Sequence, residues 1–98
     1  MKRDQVISLL RQHEPEFHEV GVGALFLFGS VARDEASETS DVDVFLDLAR
    51  PDGFTLFHLV ELQNRMQLIL GARVDLMTRQ GIHLRRRQRI ESDAVRVF

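Results

Sequence analysis

The 98-residue sequence contains no cysteine, so neither a disulfide framework nor a thiolate metal site is available to it. It also lacks a long hydrophobic run. The longest uncharged stretch, Val20 to Ala32, holds three glycines and is too short to span a bilayer. The N-terminal Met1-Lys2-Arg3-Asp4 leads into an amphipathic segment rather than a uniformly apolar one, which argues against a secretory signal. No repeat, low-complexity tract or linker interrupts the chain. The formal net charge of −2 excludes a general nucleic-acid polycation, so direct nucleic-acid binding is not expected. These absences point to one cytoplasmic domain over residues 1–98, of a length that buries roughly two-thirds of its unfolded surface.

The charge is unevenly placed. Six acids lie between Asp34 and Asp47, and five arginines lie between Arg79 and Arg89. Two such patches in one small domain suit a cation and a polyphosphate, although two solvated faces would look the same from charge alone.

Periodicity predicts the order α-β-β-α-β-α with a short helix after Gly29-Ser30. The first helix starts with Asp4 as N-cap, carries Val6, Ile7, Leu9, Leu10 and Phe17, is interrupted by Pro15 and ends at Gly21. The apolar run Ala24–Phe28, bounded by glycines, reads as a buried strand. Val42, Val44 and Leu46 alternate with Asp41, Asp43, Phe45 and Asp47, which gives a second strand with one apolar and one largely acidic face. After the Pro51-Asp52-Gly53 turn, Leu59, Leu62, Met66 and Ile69 recur at helical spacing up to Gly71. Residues 73–77 read as a third strand. A last helix is predicted over 82–95, with Leu84, Ile90 and Ala94 toward the core. The fold class is α/β (α+β): a small mixed β-sheet with packed helices.

Chemistry concentrates in a few positions. A glycine directly after a strand lets backbone approach a ligand, and Ser30 beside it can cap the next helix, whose free N–H groups attract anions. Asp41 and Asp43, two apart on a strand, point to the same face. Carboxylates that close oppose each other's ionisation unless a cation lies between them. Mg²⁺ favours a few carboxylates plus substrate phosphate oxygens. Asp75, between Val74 and Leu76, joins them if its strand neighbours the second; three carboxylates can hold two metal ions. Asp47 is a rival third acid farther along the same face. Arg33 either fixes the phosphate turn or pairs with an acid. Arg85 to Arg89 reach a triphosphate, an acidic partner or only solvent. His13, His18, His58 and His83 show no ligand spacing.

Gly29-Ser30, ten intervening residues, Asp41-Val42-Asp43 and a later Asp75 together resemble the DNA polymerase β-like nucleotidyltransferase superfamily. More narrowly, Phe28-Gly29-Ser30-Val31-Ala32-Arg33 followed by Ser40-Asp41-Val42-Asp43 resembles the MNT-type minimal nucleotidyltransferases, over nearly the whole chain. Asp34 departs from the glycine usual in that family and would have to adopt its left-handed backbone. The resemblance implies a polymerase β-like nucleotidyltransferase fold. It implies ATP as co-substrate held at Gly29, Ser30 and Arg33, two Mg²⁺ ions bound by Asp41, Asp43 and Asp75, and proton acceptance by Asp75. It further implies an antitoxin in a hetero-oligomer with a HEPN-domain ribonuclease toxin, whose tyrosine receives AMP. Larger relatives carry an extra domain for the acceptor, so here the acceptor is brought by another molecule. Two alternatives share the motif: an antitoxin that acts by binding alone, and a transferase for a small molecule such as an aminoglycoside.

Overall fold

A computed structural model describes residues 1–98. Helices α1 (Arg3–Arg11) and α2 (Glu14–Val20) precede strand β1 (Val22–Phe28) and the one-turn helix α3 (Gly29–Ala32). Strand β2 (Val42–Leu48), helix α4 (Leu56–Leu70) and strand β3 (Val74–Thr78) follow. A 3₁₀ turn (Arg79–Gly81), helix α5 (Leu84–Asp93) and the short strand β4 (Val95–Arg96) complete the chain. The four strands form one mixed sheet in the order β3-β2-β1-β4, with β2 and β3 parallel and the other pairs antiparallel.

Period two in the strands sorts their side chains. Leu25 and Leu27 of β1 and Val42, Val44 and Leu46 of β2 face the main core, which is closed by Val6, Leu10, Leu62 and Met66 of α1 and α4. The opposite face carries Phe28 and Phe45, covered by Ile82 and by Ile90 of α5. No polar or charged residue is buried. Acids on the second face therefore end at the rim, where ligands can reach them.

Local chemistry explains most boundaries. Pro15 sits in the first turn of α2, where its missing N–H costs nothing, and the expected single helix becomes two. Gly21 and Gly71 end α2 and α4 in left-handed conformation. Thr55 and His58 cap the start of α4 reciprocally. Gln67 and Gln63 of α4 accept from the N–H groups of Val74 and Leu76, covering the outer edge of β3.

Three expectations are corrected. Asp4 lies in the first turn of α1, not at its cap, which is Lys2. Leu84 is 76% exposed. The cap of α5 is His83, which accepts from the N–H of Arg85, so Leu84 is the first helical residue and Ile82 before it is the buried anchor. Finally, the last helix stops at Asp93 and β4 follows. The free edge of β1 draws the chain end into the sheet: Val97 donates to the Leu25 carbonyl at 2.8 Å, and Leu25 donates to the Phe98 carbonyl at 3.1 Å. No helix is long and apolar enough to cross a membrane.

Candidate active site

The end of β1 delivers the chain into a turn that only glycine fits. Phe28 is still extended, Gly29 has φ +75°, and α3 begins at once. A Cβ on Gly29 would overlap Oδ2 of Asp43 and stand 3.3 Å from its Cγ. The glycine thus serves close approach, backbone to carboxylate, as well as positive φ. Ser30 is the second residue of α3 and not its cap; the cap position is Phe28, and no side chain bonds there. Ser30 instead borders a cavity. Asp34 adopts φ +61°, the left-handed backbone expected of it.

The β2–β3 register places Asp43 opposite Asp75, with both on the α5 face of the sheet. Asp41 lies just before β2, exposed, 3.8 Å from Nε of Arg73. Asp43 is half-buried. Burial, and then the negative charges of Asp75 and Asp41, push its carboxyl above the ordinary 3.8, against the weaker opposing pull of Arg86 and Arg33. The three acids therefore share one field. They do not share a coordination sphere: no group of three or more histidine, aspartate or glutamate side chains stands close enough to hold a metal ion. The donor set itself, oxygen-only and mutually repelling, is the chemistry a hard divalent cation relieves. Asp47 is removed from the contest. It accepts two hydrogen bonds from Arg79, at 2.7 and 2.9 Å.

A cavity of about 490 Å³ opens beside Asp43, bordered by Gly29, Ser30 and Arg33 on one side and by Arg85, Arg86, Arg89 and Asp93 of α5 on the other. Arg33 stands at its mouth, paired with Glu35 and Asp93, both at 3.1 Å. It ties α3 to α5 through these pairs, which is the acid-pairing role considered for it. The three cavity-side arginines of α5 are the feature that charge counting left unresolved. Their spacing was the available signal, since Arg89 lies four residues after Arg85 and three after Arg86, which makes it a neighbour of both on the helix surface. Arg87 falls outside that group and bonds the Gln80 and Ile82 carbonyls. The histidines have local partners: His13 with Glu16, His18 with Glu14 and the Val22 carbonyl, His58 with Thr55, and His83 with the Arg85 N–H.

The family model described as "Nucleotidyltransferase domain" matches residues 5–97. A protein of Methanocaldococcus jannaschii assigned as a protein adenylyltransferase is 39% identical over 80 residues, covering 81% of this chain and 80% of that one. A solved structure assigned as a minimal nucleotidyltransferase superposes with TM-score 0.80 at 29% identity, covering 97% of this chain and 95% of that one. The MNT antitoxin–HEPN toxin complex of Shewanella oneidensis, in which the toxin is tri-AMPylated, gives TM-score 0.62 at 20% identity, covering 98% of this chain and 68% of the other, a likeness of fold.

Proposed function

Because the chain belongs to the nucleotidyltransferase domain family, we propose that it is a metal-dependent protein adenylyltransferase, moving AMP from ATP to a hydroxyl of a partner protein. The observation that carries this reading is the contact of the Gly29 turn with Asp43, which itself faces Asp75 across the sheet. A triphosphate on that turn lies against the carboxylates, which is where nucleotidyl transfer needs charge neutralised and groups aligned.

In the proposed reaction, the backbone N–H groups at Gly29 and Ser30 and the Ser30 hydroxyl hold the phosphates. Asp41, Asp43 and Asp75 are the residues that would hold two divalent cations, Mg²⁺ in the cell. When bound, such ions neutralise the triphosphate and acidify the attacking hydroxyl. That convergence requires Asp41 to leave Arg73, an exposed and long pair whose loss costs little. Asp75, exposed at the sheet rim, accepts the proton of the acceptor hydroxyl. The acceptor oxygen bonds the α-phosphorus, the bond from that phosphorus to the bridging oxygen breaks, and pyrophosphate leaves with the electron pair. The relatives named adenylyltransferases support AMP as the group moved. The shared fold of the antitoxin complex, whose toxin is tri-AMPylated, supports a HEPN toxin as partner and neutralisation as the outcome; the acceptor in this reading is a toxin tyrosine, as the sequence resemblance implies.

A second reading draws on the acids' failure to converge: the chain silences its partner by covering it, without transfer. The two part on one experiment. The protein is incubated with ATP, Mg²⁺ and its cognate toxin, and the toxin's intact mass is measured. One or more added AMP groups are expected, lost in the Asp41→Asn, Asp43→Asn double variant. A toxin of unchanged mass would refute transfer, and full protection of cells by the double variant would show that neutralisation comes from binding alone.

A further inference from the structure

We propose that Arg85, Arg86 and Arg89 of α5 form a dedicated polyphosphate wall, which takes the β- and γ-phosphates of the nucleotide and restricts the site to triphosphates. The inference rests on the transferase reading for its biological meaning, but its geometry stands alone.

All three guanidinium-bearing residues border the cavity that also contains Gly29, Ser30 and Asp43. Their partners, or lack of them, separate them from the other arginines nearby. Arg33 is paired with Glu35 and Asp93, Arg79 with Asp47 and Glu91, and Arg87 bonds two carbonyls. The guanidinium groups of Arg85, Arg86 and Arg89 make no ion pair and no hydrogen bond; the side chains of His83 and Ser92 engage only the backbones of Arg85 and Arg89. The helix's own acids cannot serve them, because Glu91 is held by Arg79 and Asp93 by Arg33. Three unpaired cations, with Arg89 a helix-surface neighbour of both Arg85 and Arg86, repel one another unless an anion lies among them. A merely solvated face would interleave its signs; α5 directs its acids into bridges and its free arginines into the cavity.

Those bridges also hold the wall in place. Arg79 joins Glu91 of α5 to Asp47 of β2, and Arg33 joins Asp93 of α5 to the end of α3. The arginine row is therefore set against the phosphate turn before any ligand arrives, which lowers the ordering cost of binding. As pyrophosphate departs, its growing charge meets fixed guanidinium donors, which suit phosphate in a way single ammonium groups do not. A monophosphate bound at Gly29-Ser30 would leave the row without an anion, so discrimination follows from the distal phosphates.

The test is calorimetric binding of inorganic tripolyphosphate to the full chain and to the Arg86→Gln, Arg89→Gln double variant, both positions being exposed. A Lys2→Gln, Arg3→Gln variant removes the same charge from the start of α1. Loss of one charge-assisted contact weakens binding at least about tenfold, so about a hundredfold is expected for the pair. The α1 variant should bind within about threefold of the wild type, the residue of general charge alone. If the wild type does not bind tripolyphosphate, or the α5 variant binds as well as the wild type, the wall does not exist. Assays with ATP and toxin separate the two proposals. Arginine-dependent tripolyphosphate binding without toxin modification leaves the wall standing and removes the transferase reading. Modification at unchanged KM for ATP by the α5 variant removes the wall and leaves the transferase.

Discussion

Gly29 and Asp43 are packed so closely that a methyl group on the glycine would overlap the Oδ2 atom of the aspartate. Their contact joins the end of β1, the start of α3 and the acidic face of β2 at one point. Nothing but backbone separates the Gly29-Ser30 turn from the carboxylate beside it. Either residue can therefore be perturbed through the other.

Gly29→Ala combines a left-handed backbone with a collision, and both should register. The backbone strain alone costs about 1–2 kcal/mol, equivalent to roughly 5–15 °C in Tm for a domain of this size. Gly53 provides the comparison, because at φ +85° it has nothing within 4 Å of the added carbon. Gly53→Ala should lower Tm by the strain only and keep full activity. Gly29→Ala should lose activity as well, by displacing Asp43. Equal activity in the two variants would mean that the Gly29–Asp43 contact is not used.

Asp43→Asn should not destabilise the metal-free protein at neutral pH. Burial, with help from Asp75 and Asp41, raises the folded-state pKa of Asp43 above its ordinary 3.8. A raised acid binds its proton more tightly in the folded state. The stability it contributes is fully present below the unfolded value and is lost as pH rises through the folded one. The variant and the wild type should thus match near pH 3, and the variant should gain on the wild type as pH climbs from the unfolded value through the folded one, then hold a constant lead above it. Thermal unfolding across pH 3–8 without divalent ions checks this. A variant less stable than the wild type at pH 7 would contradict the raised pKa.

Arg79 links three elements: it donates to Asp47 on β2, reaches Glu91 on α5 at 3.1 Å, and stacks its guanidinium 4.9 Å and 4.8 Å from the ring centroids of Phe26 and Phe45. Arg79→Gln should cost about 1–2 kcal/mol in urea unfolding, the scale of charge-assisted bonds in a partly exposed setting. It should also raise KM for ATP with a smaller change in kcat, because α5 and its arginines lose their tether. Arg79→Lys should recover part of the stability but little of the KM, since an ammonium cannot make the planar two-way fork. An unchanged KM in both variants would reduce Arg79 to a strut without influence on the site.

Much of this was legible in the residues. The period-two run from Asp41 to Asp47 fixed which acids share a face, because alternation is a property of the strand itself. Glycines 21 and 71 marked helix ends for the same local reason, and Gly29-Ser30 after an apolar strand marked the turn. Asp34, where the family's usual glycine is missing, takes the left-handed backbone that aspartate tolerates better than most residues.

What resisted reading depends on contacts distant in sequence. Val95–Arg96 became a strand only because β1 offered an unpaired edge, which two residues cannot announce. Leu84 looked like core from its periodicity, yet the cap at His83 sets the phase of α5, so Ile82 and Ile90 are buried and Leu84 is not. Asp47 and Asp75 were rivals from spacing alone. The parallel register put Asp75 opposite Asp43, and Arg79, thirty-two residues away, claimed Asp47.

The strand, turn and acid pattern, and through it the family, is written along the chain, because each of those signals is set by neighbours a few residues apart. Which charges are free follows from the packing of distant elements. Arg33, Arg79 and Arg87 are engaged, while Arg85, Arg86 and Arg89 remain open to the cavity. A charge is neutralised by whatever packing brings within about 4 Å, and that distance is settled by how the sheet, α3 and α5 meet, not by position along the chain.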